Sequence, residues 1–203
     1  MEFSTQELIP VLPEITLLVM ASVVLLVDLF APGKERVGTY TTSLLALALT
    51  ALVSVYSYQG EQLVFAGHYQ SDGLSLVLKL AMVIAVAVVF LYGRGYLAVR
   101  GLLNGEFFTL SLFGLLGMMF IASAGSLLSL YLGLETLSLS LYALVGFDRR
   151  SVASSEAAIK YFILGALASG VLLYGISILY GVTGTIQTAA MQMEIQAVLT
   201  SAG

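Results

Sequence analysis

The chain is 203 residues long, 59% hydrophobic and only 10% charged, with a mean hydropathy of +1.00. A soluble domain carries about 25% charged residues, so this composition excludes a water-bounded globule and makes the bilayer its solvent. The formal charge of −4 argues for no acidic or basic partner, nucleic acid included; the lack of cysteine excludes disulfides, iron–sulfur clusters and thiolate metal sites, and the single histidine, His68, speaks against haem or a polyhistidine centre.

Residues 1–7 hold Glu2 and Glu7 but no Lys or Arg, and the apolar run from Leu8 is too long for a signal-peptide core. It reads as a retained first span. A membrane helix needs ~20 mostly apolar residues. Six stretches qualify: 8–30, 39–58, 74–92, 107–123, 126–146 and 152–180. Pro10 and Pro13 fall in the first turn of the first helix, where a missing N–H costs least. The breaks are "APGKERVG" (31–38), a polar stretch near 59–73 and "GRGYLAVRGLLNGE" (93–106), while "SAG" (123–125) makes a tight antiparallel turn. After the short link "DRR", Ser151 and Ser154 are suitable N-caps for the sixth helix. The predicted fold is all-α, a single polytopic membrane domain over 1–203 with about six transmembrane helices and a tail at 181–203.

Six of the eight basic residues fall in alternate loops. Lys34, Arg36, Arg94, Arg100, Arg149 and Arg150 fall in the three loops on one side, and the N-terminus, the 59–73 loop, the 123–126 turn and the tail hold none. The positive-inside rule then places the N-terminus outside and the basic loops in the cytoplasm. Tyr56, Tyr58, Tyr92, Tyr96 and Tyr180 are the expected interfacial belt, since tryptophan is absent.

Two cations and one acid stand out within the spans. Glu135, in "LYLGLETLSLSLY" (130–142), lies ~16 Å from the cytoplasmic end of its helix at 1.5 Å per residue. A charge there costs at least ~2.5–3.5 kcal/mol on insertion scales. Tyr131, Ser138 and Tyr142 share its face, and such a polar stripe must meet protein or water. Lys160, ~9–14 Å inside the sixth helix by the same rise, comes to a similar depth on an antiparallel neighbour. It either faces Glu135, directly or through a water, or snorkels to the headgroups beside Glu156, four residues earlier. In the first case the pair is a charge switch, because each group tunes the protonation of the other. A separate alternative makes Glu135 a purely structural hydrogen-bonding residue. Lys79 is expected to snorkel, Glu14 and Asp28 to be interfacial, and His68 to sit in an outer loop without chemistry.

The blocks "LGLETLSL" and "SSEAAIKYFILGA", with "LVGF", "SDGLSLVLKL" and "LIPVLPEITLL", resemble the subunit N family of NADH-quinone oxidoreductase. That family is one of the antiporter-like membrane subunits of respiratory complex I. The resemblance implies a subunit of a proton-translocating enzyme in a bacterial inner membrane, with other complex I membrane subunits and the lipid bilayer as partners. It implies Glu135 and Lys160 as the residues of the charge network. No cofactor or metal would be bound by this chain; NADH, quinone, FMN and iron–sulfur clusters would belong to the rest of the complex. Family members are two inverted repeats with broken helices, so this sequence, ending after the sixth span, is expected to be an incomplete bundle: a fragment of a longer product, or one completed by a split gene. The alternatives are a subunit of the related multisubunit cation/proton antiporters and a structural membrane protein.

Overall fold

The computed structural model describes residues 5–30 and 36–201, and side chains over 7–30 and 36–196. Lys34 therefore lies outside the described residues. A 3-10 helix, Thr5–Val11, leads into α1 (Leu12–Phe30) and is followed by α2 (Val37–Tyr56), a hairpin of β1 (Gln62–Val64) and β2 (Tyr69–Ser71), α3 (Gly73–Val99), α4 (Gly105–Ala122), α5 (Leu127–Val145), α6 (Val152–Thr183) and α7 (Thr188–Ser201). Six helices among the described residues are long and apolar enough to cross a membrane, and they coincide with the six expected spans. The protein is a multi-pass membrane protein.

Three features differ from the sequence reading. The 59–73 loop is not merely polar but carries an antiparallel hairpin pairing Gln62 with Ser71 and Val64 with Tyr69, a short addition to the all-α fold. The 93–99 segment continues α3 instead of breaking it. Gly93 and Gly95 weaken a helix without ending one, and here Arg94 stacks on the Tyr40 ring at 4.7 Å and Arg100 on Tyr96 at 4.6 Å. The tail contains α7, whose lower mean apolarity hid it from a search for spans.

α1 to α4 form the core. Leu17, Ala21 and Val24 of α1, Ala46 and Leu47 of α2, Val83 and Phe90 of α3, and Phe108, Leu112, Leu115 and Met119 of α4 pack into one cluster. Phe108 holds its basic end, with Phe90 at 5.0 Å and Tyr40 at 5.9 Å in edge contacts. The inward stripe of α2 also carries hydroxyls. Ser43, Thr50 and Ser54 each donate to the carbonyl four residues back, at 2.7–2.8 Å, so they enter the interface already satisfied and keep it narrow. α5 packs against α4 where two glycines meet. A Cβ on Gly117 would stand 2.6 Å from Leu137 N, and one on Gly133 3.0 Å from Gly117 O. α6 lies along α5 and has no buried residue.

The loops separate into two ends. At one, the hairpin, the 123–126 turn and the 184–188 link are joined by backbone hydrogen bonds: Gln70 N to Ser123 O, Gly125 N to His68 O, and Leu127 N to Ile186 O. His68 is tied in as well, its Nδ1 2.8 Å from Ser126 Oγ. At the other end lie the described basic loop residues, where Asp28 accepts from both Arg36 and Thr39 and Glu106 accepts from Arg149.

Gly117→Ala is expected to force α4 and α5 apart at backbone atoms, costing ~1–3 kcal/mol, the range for overpacked cores. Gly114→Ala, whose Cβ would meet only side chains at 3.7 Å or beyond, is expected to be tolerated. Thermal denaturation midpoints of the two variants in detergent test the contrast.

Candidate functional site

Glu135 is the ninth residue of α5, near the middle of the helix, and half-buried. Its carboxylate accepts a hydrogen bond from Ser169 Oγ on α6. Ser169 has one hydrogen to give, so Tyr131, whose hydroxyl is 2.9 Å from Ser169 Oγ, must donate to it. The arrangement is a directed chain from Tyr131 through Ser169 to Glu135, with two members from one face of α5 and one from α6. Ser138, half-buried one turn on, makes no side-chain hydrogen bond. Tyr142 packs edge-on to Tyr161 at 4.9 Å and Phe162 at 5.7 Å, its hydroxyl lodged against Gly165, where a Cβ would collide with it.

Lys160 is not at the depth of Glu135. The contact of Gly146 with Ala158 sets the register of the α5–α6 hairpin, and it puts Ser169 opposite Glu135. Lys160 then lies ~13 Å closer to the basic end, by 1.5 Å per residue. Depth counted from each helix's own end gives the two residues equal height, but α6 begins well before it draws level with the end of α5. Lys160 instead pairs with Glu156 at 2.5 Å, both side chains exposed. Among the described residues no Lys or Arg forms an ion pair with Glu135.

Among the described residues, the buried ion pair is elsewhere. Glu14 and Lys79, expected at the interface, are 1% and 4% exposed, and Lys79 Nζ is 2.7 Å from Glu14 Oε1. Lys79 also donates to the Tyr69 hydroxyl at 2.7 Å, which lies 3.0 Å from both Glu14 oxygens and 2.8 Å from Pro10 O. The local structure explains the convergence. The β2 pleat turns Tyr69 and Ser71 inward and Gln70 outward. A tight turn, with Phe65 and Ala66 at φ of 52° and 53° and Gly67 at 83°, folds the strand back over the bundle. Asp72 caps α3 through Ser75 N at 2.6 Å, which starts that helix directly under the hairpin. Lys79 therefore meets protein where water was expected. Burial first, then the Glu14 carboxylate, hold the Tyr69 phenol above the usual tyrosine range. Sequence gave one usable signal, opposite charges near the same end of α1 and α3; nothing local marks Tyr69 or Ser169.

Residues 124–203 match the family described as NADH:quinone oxidoreductase/Mrp antiporter, TM. The chain is 52% identical over 187 residues to an NADH-quinone oxidoreductase subunit N of Nitrosomonas europaea, spanning 92% of this chain and 39% of that protein. A subunit N of Thiobacillus denitrificans is 48% identical over 197 residues, 97% of this chain and 41% of the relative. The chain thus spans about two fifths of the length of these curated relatives. Among solved structures, respiratory complex I from Thermus thermophilus contains a chain that superposes with a TM-score of 0.70 at 33% identity, over 86% of this chain and 38% of that one. The archaeal membrane-bound sulfane sulfur reductase shares the fold, with a TM-score of 0.75 at 21% identity.

Removing one member of the buried pair is expected to be costly. Lys79→Met leaves the Glu14 carboxylate without a cation, a loss of ~3–5 kcal/mol, while adding Glu14→Gln should recover part of it; thermal midpoints of the single and double variants measure both. Because the Tyr69 phenol is held up, it should stay protonated through pH ~10, where ordinary tyrosines ionise. A wild-type minus Tyr69→Phe absorbance titration showing phenolate from this residue at that pH would contradict the geometry.

Proposed function

Over the stretch it spans, the chain belongs to the NADH-quinone oxidoreductase subunit N family, and from that premise we propose that it is part of a proton-translocating membrane subunit of respiratory complex I. Its partners in this reading are the other membrane subunits of the complex, and electrons pass through cofactors held elsewhere. The basic end faces the cytoplasm of a bacterial inner membrane, as the confinement of arginine to that end favours.

The observation that carries the reading is the placement of Glu135. An intramembrane carboxyl with no ion-pair partner, held only by the hydroxyl chain of Ser169 and Tyr131, is chemically able to gain and lose a proton. When ionised it accepts from Ser169. When protonated its own O–H can donate back, since a hydroxyl serves as donor and acceptor alike. Lys160 enters this reading as a charge at the basic end, acting on Glu135 over distance, not as its contact. Ser138 and Tyr142 shape the α5–α6 seam around it. The relatives named above are complex I subunits, which disfavours the cation/proton antiporter alternative.

In the assembled complex containing this chain, reconstituted in liposomes, Glu135→Gln is expected to lower the ratio of protons moved to NADH oxidised. An unchanged ratio would remove Glu135 from the proton path.

A further inference from the structure

The Glu14–Lys79–Tyr69 cluster joins a small polar cavity of about 10 Å³, lined by Lys79 and by Ser54, Ser57, Ser71, Ser75 and Tyr58. That volume is at the lower bound for one water molecule, and a water needs two to four polar partners, which these serines supply. One further observation points the same way. Lys79 has three hydrogens and two protein acceptors, Glu14 and Tyr69. The four serines are themselves buried, and the rim residue Tyr58 is 37% exposed at the hairpin end. Asp72, the flanking acid on α3, is committed to the helix cap at Ser75.

We propose that Glu14, Lys79 and Tyr69 form a second proton-exchange site, connected to the hairpin-side surface by a water molecule bound among Lys79, Ser54, Ser57, Ser71 and Ser75. The proposal rests on the reading of the chain as part of a proton-translocating subunit. In the exchange step, one Lys79 N–H bond breaks as the bound water gains an O–H bond, and the water passes one proton outward. The lysine is left as a neutral amine, still hydrogen-bonded within the cluster, and regains one proton delivered along the translocation path of the subunit, which restores the ion pair. Tyr69 stays a phenol throughout and holds the other two in register. Glu14 is the ion-pair partner of the protonated amine. The cluster is separate from Glu135: it is built from α1, α3 and β2, and Glu135 from α5 and α6.

Lys79→Arg separates this role from a structural one. Arginine keeps the positive charge and the bond to Glu14 but does not give up its proton in a protein. In the assembled complex in liposomes, Lys79→Arg is expected to lower the proton-to-NADH ratio severalfold. Ser54→Val together with Ser71→Val fills the cavity without touching the ion pair, and is expected to slow proton release and alter its solvent deuterium isotope effect. A wild-type ratio in Lys79→Arg overturns the proposal. Should that variant not assemble, wild-type proton release and isotope effect in the serine double variant overturn it instead. Glu135→Gln run in parallel tells the two claims apart: a lowered ratio there with a normal ratio in Lys79→Arg sinks only the second site, and normal ratios in both sink the translocation reading with it.

Discussion

An ammonium group enclosed by a lipid-facing bundle must find acceptors within the protein, and Lys79 finds them on two other elements. Glu14 comes from α1 and Tyr69 from the hairpin. The cost of burying each charge is offset only when the partner and the surrounding hydrogen bonds are in place together. This couples parts of the chain that are distant in sequence: the 3-10 entry that presents the Pro10 carbonyl, the cap that starts α3, and the turn that folds β2 inward. The hairpin is thus more than a connection. It is the cover that lets a lysine six residues into a helix stay buried.

The two polar centres have opposite character. Around Lys79 the charges cancel within hydrogen-bond distance. Among the described residues the hydrogen-bond partners around Glu135 are hydroxyls, which reorient without cost in charge. The first centre organises the end of the bundle that is stitched by backbone hydrogen bonds; the second lies in the α5–α6 seam, which is also tied nearer the basic end by Ser154 Oγ donating to Val145 O. The opposite end relies on surface ion pairs such as Arg149–Glu106, which contribute little to stability in water.

The spans were legible because apolar length is a local property, written within twenty residues. Pro10, Pro13 and Ser151 likewise act on their immediate neighbours, and Ser151 does cap α6 through Ser154 N. The hairpin was not, since strands of three residues with positive φ at Phe65 and Ala66 follow from tertiary packing, not from propensity. Lys79 was misjudged for the same reason: snorkelling presumes water at the helix end, and a distant loop covers it. The position of Lys160 required the stagger of two helices, which the Gly146–Ala158 contact sets and which no count from helix termini contains. Glu135 could be singled out from its sequence alone because lipid makes any mid-helix acid conspicuous; its partner Ser169 looked like one more small packing residue.

At 1.5 Å per residue, α6 is about 48 Å long, against a hydrocarbon thickness of about 30 Å. Tilt alone, rarely beyond ~40°, does not absorb that mismatch. Part of the rod must project past the acyl chains, and its sequence says which part: Ser154, Ser155, Glu156 and Lys160 are all in its first three turns. The Glu156–Lys160 pair then belongs to the headgroup layer, a collar that fixes the height at which the remainder of the rod, and Ser169 with it, is suspended.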